Sequence, residues 1–347
     1  MRKQLLPALG FLFALAACGQ SSASVEEQRD HILAAGSSTV YPFTRAVAEE
    51  FQRKNAGMAA PVIQSTGTGA GFEAFCGGLG ARFPDLVDAS RRIHPDELAQ
   101  CRTNGVVNIT ELQIGMDGVA LAQSPAAPPI RLTRIELYEA LAANPYGEPN
   151  QKTRWNQVNP NLPDIPILVY GPPATSGTRE SLAELLLIGG CQADARMRAL
   201  KAQDEAGFHR LCTEIRGDGL YQESGEDDER LSQMLVVNPG AIGIFGYGTL
   251  ERAGSRLRAV PIDGIMPDAT TIAAGRYSGA RPLYIYVKGD RVDSVPGLRM
   301  FLSEYAAAIG PGSYLTQRGL IPADQAVRRR TAESATRLIP LTPAALR

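Results

Sequence analysis

Apolar and polar positions alternate along the chain with two different periods. Ile32–Ala35 is a short apolar run, which predicts a strand. After the small residues that follow it, Phe43, Val47 and Phe51 recur every four positions and place one apolar stripe on a helix whose first turn carries Pro42. Strand-like runs that alternate with amphipathic helices are typical of an α/β fold.

The same order of strand, loop and helix occurs at three further places. The predicted strands there are Pro61–Gln64, Asp85–Ser90 and Ile165–Tyr170. Each is followed by a loop and then by a stretch with helical signals. Four such units therefore present small, hydroxyl-bearing residues at the starts of helices.

Two features indicate a second folding unit. Thr133 and Glu136 form the pattern of a capping box, at the start of a helix that follows a long β-rich stretch. Much later, Pro282–Val287 is rich in β-forming residues, and we expect this run to return into the first sheet. The chain therefore predicts discontinuous domains that are joined by crossing strands.

The N-terminal segment has the features of a bacterial export signal in the usual order. Two basic residues precede the apolar run Leu5–Ala17, which is shorter than a membrane span. The run ends in Leu-Ala-Ala-Cys, which looks like a lipobox. We therefore expect residues 1–17 to be a signal peptide, Cys18 to carry a lipid, and residues 18–30 to be a flexible tether.

The remaining cysteines are expected to form two disulfides, because export implies an oxidising compartment. They are Cys76, Cys101, Cys191 and Cys212. Four cysteines allow three connectivities, and the sequence does not choose between them. A zinc site is not expected, because no two of these cysteines have the short spacing of a metal-binding pair.

Composition and motifs exclude several classes of function. The chain has 347 residues, enough for two domains, with 35 basic and 36 acidic side chains and a formal charge of −1. Without a basic stripe, a nucleic-acid partner is not expected. The sequence contains no nucleophile elbow, zinc-protease or P-loop motif, so no catalytic residues and no metal are expected. Gly67–Gly71 departs from the dinucleotide-binding fingerprint, and no cofactor is expected.

The loops at the helix starts suit the binding of an anion. A helix N-terminus presents unpaired backbone N–H groups and about half a positive charge, and small residues let an oxyanion come close. Arg91 and Arg179 each adjoin such a loop and can supply a bidentate donor. For any one loop taken alone, the alternative is ordinary N-capping.

Several motifs occur together in one order between residue 31 and about residue 320. They are Gly36–Pro42, Thr66–Gly71, Asp88–Arg91, Thr175–Arg179 and Pro239–Gly243. Together they resemble the phosphate-binding proteins of high-affinity phosphate ABC transporters. The resemblance implies a type II periplasmic-binding-protein fold of class α/β, with two lobes that are each a mixed β-sheet flanked by helices, joined by two crossing strands. We expect residues 31–116 plus 283–347 to form lobe 1 and residues 117–282 to form lobe 2.

The resemblance also implies a function. Such a protein captures inorganic phosphate between its lobes and delivers it to a membrane permease, as a monomer and without catalysis. Together with the export signal, it implies a location in the periplasm or at the cell surface, with a lipid anchor in a bacterial membrane. Two alternatives remain: a binding protein for another tetrahedral oxyanion such as sulfate or molybdate, and an exported enzyme that hydrolyses phosphate esters.

Matching motifs imply particular donors to phosphate, through hydroxyl and backbone N–H groups. They are Ser38, Thr39 and Thr68 from one lobe and Ser176, Gly177 and Thr178 from the other. Pro172 stands where the family pattern has an arginine, so Arg179 is the expected charged donor.

A second departure concerns selectivity. Ser90, followed by Arg91, stands where the family pattern has an aspartate that accepts the proton of hydrogen phosphate, and both residues are expected among those that bind phosphate. Such a carboxylate separates phosphate from sulfate, because it accepts a hydrogen bond from a protonated anion and repels a fully deprotonated one. The candidates for this acceptor are Asp88 and Glu223.

Overall fold

A computed structural model describes residues 29–174, 176–224 and 228–346. The predicted signal peptide, the predicted lipidation site Cys18 and most of the predicted tether lie outside the described residues, as does Thr175.

The strands of the described residues form one continuous network. They are β1 Leu33–Gly36, β2 Val62–Ser65, β3 Leu86–Ala89, β4 Ile109–Gln123, β5 Val169–Gly171, β6 Tyr221–Glu223, β7 Ile242–Gly246, β8 Arg258–Val260 and β9 Ala280–Lys288.

Helices connect and cover these strands. Those before the middle of the chain are α1 Tyr41–Lys54, α2 Thr68–Phe75, α3 Pro95–Thr103, α4 Arg134–Leu141, α5 Trp155–Val158, α6 Gly177–Ser181 and α7 Ile188–Cys191. The later ones are α8 Ala195–Gln203, α9 Glu205–Thr213, α10 Asp228–Val237, α11 Tyr247–Ala253, α12 Ala269–Ala273, α13 Leu298–Ala308, α14 Tyr314–Gln317 and α15 Gln325–Arg337. A π-helical segment, Leu182–Leu187, joins α6 to α7, and short 3₁₀ turns occupy Pro145–Gly147, Gly254–Arg256, Gly289–Arg291 and Pro343–Leu346.

The first lobe is built on a mixed sheet in the order β2-β1-β3-β9-β4. β1 runs parallel to β2 and to β3, whereas β9 runs antiparallel to β3 and to β4. Parallel neighbours need a crossover connection, and α1 and α2 supply the connections from β1 to β2 and from β2 to β3.

The two lobes are joined by β4 and β9. Residues 109–118 of β4 pair with β9, whereas residues 119–123 pair with β7 of the second lobe. From β7 the second sheet continues through β5 to β6 in parallel, and β8 pairs with β4. The predicted fold class, with two α/β lobes and two crossing strands, is therefore confirmed.

Apolar stripes predicted from the sequence form the core of the first lobe. Phe43, Val47 and Phe51 of α1 pack against α13, where the ring of Phe301 meets that of Phe51 edge-on at 5.8 Å between centroids. Burying one such aromatic side chain contributes about 2–3 kcal/mol. On the opposite face of the sheet, Phe72 of α2 packs in a second cluster.

The second lobe has its own core and the predicted helix start. Trp155 is fully buried there, among apolar residues of several helices and strands. Thr133 caps α4: its hydroxyl accepts from the N–H of Glu136 at 3.2 Å, and the Glu136 carboxylate accepts from the N–H of Thr133 at 2.7 Å. The predicted capping box is confirmed.

All five predicted strands differ from the observed ones in their limits, and for β3 and β9 the difference is one or two residues at each end. β1 and β2 each begin one residue later than predicted. The prediction of a strand over Ile165–Tyr170 was wrong in extent, because β5 covers only Val169–Gly171. Proline has no N–H to donate to a sheet, and Pro166 makes only an isolated bridge with Arg154.

Each disulfide lies within one lobe. Cys76, just after α2, pairs with Cys101 of α3, and Cys191 at the end of α7 pairs with Cys212 of α9. Of the three connectivities that the sequence allows, the structure selects the one that pairs neighbours in sequence.

No helix among the described residues is long and apolar enough to cross a bilayer.

Candidate functional site

A cavity of 470 Å³ lies between the two lobes, beside β4. Its walls include the starts of α1, α6 and α11. Hydroxyl groups supply much of its polar lining, from Ser38, Thr39, Ser65, Ser176, Thr178 and Thr249. Charged lining residues are Asp117, Arg252 and Arg318.

The first wall is the turn that connects β1 to α1. Gly36 has a φ of +143°, and a Cβ at this position would lie 2.1 Å from the carbonyl oxygen of Asp88, so the turn needs glycine. The N–H of Ser37 donates to that same carbonyl at 2.9 Å. This close approach of the ends of the paired strands β1 and β3 places Ser38 and Thr39 on the cavity wall, just before α1.

The opposite wall is the start of α6. The hydroxyl of Ser176 caps this helix by accepting from the N–H of Thr178 at 3.2 Å. The capping role and the cavity position therefore belong to the same residue. Gly177 and Thr178 form the first turn of the helix, where backbone N–H groups lack helical partners.

The two walls contact each other. The Ser38 hydroxyl donates to Glu180 Oε2 at 2.6 Å, and the Thr39 hydroxyl lies 3.4 Å from the carbonyl oxygen of Gly177. These hydrogen bonds join the start of α1 to α6, and so hold the lobes together at the cavity.

A pair of charged residues on the crossing strands was missed by the sequence reasoning. Asp117 of β4 lines the cavity, and Arg281 of β9 is its direct cross-strand partner. Arg281 is 4% exposed and donates to the hydroxyls of Thr39 and Ser181. The sequence contained a signal for this pair. Asp117 and Arg281 are charged residues in or beside runs of strand-forming residues that were predicted to connect the lobes.

Two arginines that line the cavity were also missed. Arg252 of α11 donates to the hydroxyl of Thr249 at 3.0 Å, and Arg318 donates to Glu49 at 3.2 Å. Both are exposed, so they contribute positive potential near the opening rather than a buried charge. Nothing in the local sequence around them distinguishes them from ordinary surface arginines.

The two arginines expected beside the anion are engaged elsewhere. Arg91 donates through both terminal nitrogens to Glu97, at 2.8 and 2.7 Å. Arg179 donates to the carbonyl of Pro172 at 3.2 Å and stacks over Tyr221 at 4.7 Å. Successive helix positions differ by about 100° in direction, so Arg179 points away from the cavity that Thr178 lines. Neither arginine is among the lining residues.

The second hydroxyl loop lies outside the cavity lining. Thr68 Oγ1 and Ser90 Oγ are 3.0 Å apart, and the N–H of Ser90 donates to Thr68 Oγ1 at 3.2 Å. Both residues are buried. Their mutual hydrogen bonds connect the start of α2 to the end of β3.

The two candidate acceptors also lie away from the cavity lining. Asp88 is completely buried; its Oδ1 accepts from the Thr44 hydroxyl at 2.7 Å and its Oδ2 has no partner among the described residues. Burial raises the pKa of Asp88 to about 7. Glu223 is half-exposed and accepts from the N–H of Ala174 at 3.2 Å, with Arg179 at 3.7 Å.

Comparison with known families defines the class of protein. A family model for a PBP superfamily domain matches residues 21–308, which is most of the chain. The chain therefore belongs to the PBP superfamily. Its fold, with two α/β lobes and a polar cavity between them, agrees with this assignment.

Individual relatives cover nearly the whole chain. Protein SphX of Synechocystis sp. is 31% identical over 327 residues, which are 93% of this chain and 85% of that protein. The phosphate-binding protein PstS of Staphylococcus epidermidis is 27% identical and covers 81% of this chain and 76% of its own length. The crystal structure of a possible phosphate binding protein from Planctomyces limnophilus superposes with a TM-score of 0.70 at 27% identity, and covers 89% of this chain and 98% of that one.

Proposed function

We propose that this chain is the exported solute-binding component of a phosphate ABC transporter. It captures inorganic phosphate in the cavity between its lobes and delivers the anion to a membrane permease. The observation that carries the proposal is that the starts of α1 and α6 face each other across this cavity with hydroxyl and backbone donors. The names of PstS from Staphylococcus epidermidis and of the Planctomyces limnophilus protein support phosphate as the ligand.

The donors in this proposal come from both lobes. Ser38 and Thr39 donate from the start of α1, and Ser176, Gly177 and Thr178 donate from the start of α6. Helix starts need no net surface charge to hold an oxyanion, because their N–H dipoles point at it. This is consistent with the formal charge of −1 of the whole chain. In this proposal Thr68 and Ser90 do not contact the anion but stabilise the site through their hydrogen bonds to each other. Arg91 and Arg179 stabilise the loops beside the site.

The proposal also covers organisation and location. Residues 31–116 plus 283–347 form lobe 1 and residues 117–282 form lobe 2. The signal peptide, residues 1–17, is removed, and Cys18 anchors a monomer to a bacterial membrane through the tether of residues 18–30. The protein releases phosphate chemically unchanged, so it acts as a carrier rather than an enzyme.

Calorimetry on the mature protein, stripped of bound anions, tests the ligand. We expect saturable binding of one phosphate per chain and much weaker binding of sulfate and molybdate. If one of those anions shows saturable binding and phosphate does not, that anion is the ligand in place of phosphate. Turnover of a phosphate ester by the purified protein would contradict the carrier role.

Fractionation of cells tests the anchor. The wild-type protein is expected in the membrane fraction with a lipid-sized mass increase on its N-terminal cysteine. The Cys18→Ser variant is expected without that lipid. An unlipidated wild-type protein that begins at another residue would contradict the anchor.

A further inference from the structure

The cavity between the lobes is larger than one phosphate needs. Its volume is 470 Å³. Four water molecules at about 30 Å³ each take on the order of 120 Å³, and a phosphate, with its four oxygen atoms, needs about the same room. Most of the cavity volume therefore remains available beside a single phosphate.

This extra volume does not arise from lobes that stand apart. At one place the Thr39 hydroxyl of lobe 1 lies 3.4 Å from the carbonyl oxygen of Gly177 of lobe 2. At a second place a Cβ added to Gly248 of lobe 2 would lie 3.5 Å from the Cα of Gly319 of lobe 1. The lobes thus approach each other closely at two places, and the cavity keeps its volume in this arrangement.

Two arginines, one from each lobe, line the cavity at the second of these places. Arg252 of α11 belongs to lobe 2, and Arg318, which follows α14, belongs to lobe 1. Arg252 Nη1 lies 3.3 Å from the Cβ that would be added to Gly248, the same point that approaches Gly319. We call the group of Gly248, Arg252, Arg318 and Gly319 the arginine edge of the cavity.

Most N–H donors of the two arginines have no partner in the described part of the chain. A guanidinium carries five N–H donors. Arg252 uses Nη2 for the hydroxyl of Thr249 at 3.0 Å, and Arg318 uses Nη2 for Glu49 at 3.2 Å. Neither guanidinium makes another hydrogen bond within the described residues. Both arginines therefore present donors that a ligand in the cavity can use.

The arginine edge also carries an excess of positive charge. Glu49, the carboxylate that pairs with Arg318, is shared with Arg45 at 3.3 Å. No ion pair of Arg252 with a carboxylate is found among the described residues. Three arginines thus lie near one carboxylate, and a second negative group on a ligand would offset the remaining charge.

We propose that the cavity also binds a diphosphate, whose first phosphoryl group takes the place of phosphate beside Thr39 and Gly177 and whose second is held by Arg252 and Arg318. This inference rests on the proposed function and widens the ligand class of the same cavity from phosphate to diphosphate. A guanidinium matches phosphoryl oxygens with two parallel N–H donors. Because one arginine comes from each lobe, the second phosphoryl group is held by both lobes.

Three ligands separate recognition of the second phosphoryl group from recognition of size. Methylenediphosphonate has the shape and charge of diphosphate, and its P–C–P bridge cannot release phosphate. Ethyl phosphate replaces the second phosphoryl group with an uncharged group, and phosphate has neither. We expect one methylenediphosphonate to bind per chain, in competition with phosphate, and at least about tenfold more tightly than ethyl phosphate. Calorimetry without divalent cations measures the three dissociation constants.

Arg252→Gln and Arg318→Gln remove the two charges at exposed positions. Each variant should raise the ratio of the dissociation constants of methylenediphosphonate and phosphate by at least about fivefold. Arg337→Gln is the matched control, because Arg337 is also exposed, pairs with the single carboxylate of Glu333 and is not among the cavity-lining residues. Its ratio should equal that of the wild-type protein. An equal change in all three variants would show a general effect of charge and would overturn the inference.

Gly246→Val tests the available room without changing a charge. Gly246 lines the cavity, and nothing lies within 4 Å of a Cβ added there. Its φ of −64° suits any residue. The added side chain should fill part of the cavity, so methylenediphosphonate should be weakened at least about fivefold more than phosphate.

The outcomes distinguish this inference from the function on which it rests. If the wild-type protein binds neither phosphate nor methylenediphosphonate, both fail. If it binds phosphate but methylenediphosphonate does not compete, or if both arginine variants keep the wild-type ratio, the proposed function stands and the inference is overturned. If methylenediphosphonate binds and phosphate does not, phosphate fails as the ligand and the diphosphate site stands. Thermal melting identifies an unfolded variant, and if Gly246→Val is unfolded, the ratios of the two arginine variants decide.

Discussion

Gly177 of lobe 2 and Thr39 of lobe 1 approach each other so closely that a methyl group on Gly177 would require Thr39 to move by a few tenths of an ångström. A Cβ added to Gly177 would lie 3.0 Å from Thr39 Oγ1 and 3.1 Å from Thr39 Cα. Contacts of this length are too short for carbon atoms at rest. The first residue of α6 has no side chain, and this allows the lobes to meet at the observed separation without displacing Thr39.

Gly177→Ala tests the importance of this approach for binding. The methyl group keeps the lobes apart and lengthens the hydrogen bonds from both walls to the anion, so the affinity for phosphate should fall by about tenfold. The melting temperature without phosphate should change little, because alanine is favoured over glycine in a helix. Calorimetry measures the first quantity and differential scanning calorimetry the second.

Gly310→Ala is the matched control for this variant. Nothing lies within 4 Å of a Cβ at Gly310, which is not among the cavity-lining residues. Its phosphate affinity should equal that of the wild-type protein. An unchanged affinity in Gly177→Ala would mean that the lobes do not close to the observed separation around phosphate.

The hydrogen bond between Ser38 and Glu180 leads to a second prediction. The Ser38 hydroxyl donates its hydrogen bond to the Glu180 carboxylate instead of to phosphate. The carboxylate also adds negative charge near the anion. Glu180→Gln should therefore tighten phosphate binding by roughly fivefold, about 1 kcal/mol. Ser38→Ala removes the donor and should weaken binding by a similar factor. Titration calorimetry at one ionic strength measures both effects.

Glu333→Gln controls for the loss of one negative charge. Glu333 pairs with Arg337 on α15 and is not among the cavity-lining residues. It should bind phosphate like the wild-type protein. Weaker phosphate binding in Glu180→Gln than in Glu333→Gln would show that Glu180 supports the site instead of competing with phosphate.

The buried carboxyl group of Asp88 predicts a specific dependence of stability on pH. Its pKa is raised from 3.8 to about 7 by burial, so the folded state binds a proton that the unfolded state has released. The stability that this bound proton on Asp88 adds to the folded state is fully present below about pH 4 and is lost as the pH rises through 7. The free energy of unfolding should fall by about 4 kcal/mol over this window because of Asp88.

Urea unfolding of Asp88→Asn isolates this contribution. The variant has no group that titrates there, so its stability should rise relative to the wild-type protein as the pH increases from 4 to 8. Asp293→Asn, at an exposed aspartate paired with Arg299, should follow the wild-type curve. Parallel curves for Asp88→Asn and the wild-type protein would contradict the raised pKa.

The two disulfides should stabilise the lobes independently. Cys76–Cys101 and Cys191–Cys212 close loops of 25 and 21 residues. In the chain-entropy model each loop contributes about 3 kcal/mol by restricting the unfolded chain. Replacing either pair with alanine should lower the stability of its own lobe by about this amount, as measured by urea unfolding.

Reduction of the wild-type protein provides a check on this prediction. Its effect should match the sum of the two double variants if the lobes unfold without coupling. A double variant that loses no stability, or whose loss appears in the other lobe by hydrogen exchange, would contradict the assignment.

Much of the fold was predictable because its signals are local. The spacing of Phe43, Val47 and Phe51 predicted the buried face of α1, and Thr133 with Glu136 predicted the start of α4. The β-rich run within β9 predicted a strand that returns into the first sheet. The limits of β5 were less predictable, because Pro166 interrupts a run of otherwise strand-forming residues.

The candidate site was predictable in part for the same reason. Hydroxyl-bearing residues at the start of a helix can be recognised from a few neighbouring positions in the sequence. Ser38, Thr39 and Ser176 were predicted on this basis, and all three line the cavity. The directions of Arg91 and Arg179 were not predictable, because they depend on helix phase and on partners such as Glu97 and Tyr221.

By itself, the sequence determined the α/β class, the helix-start loops and the candidate for an export signal, because each depends on residues that are close together in the chain. Only the tertiary structure decided which disulfides form and which charges meet at the cavity. Asp117 and Arg281 are far apart in sequence, and they become neighbours only through the antiparallel register of the crossing strands. Register follows from the packing of both lobes at once, and no local pattern encodes it.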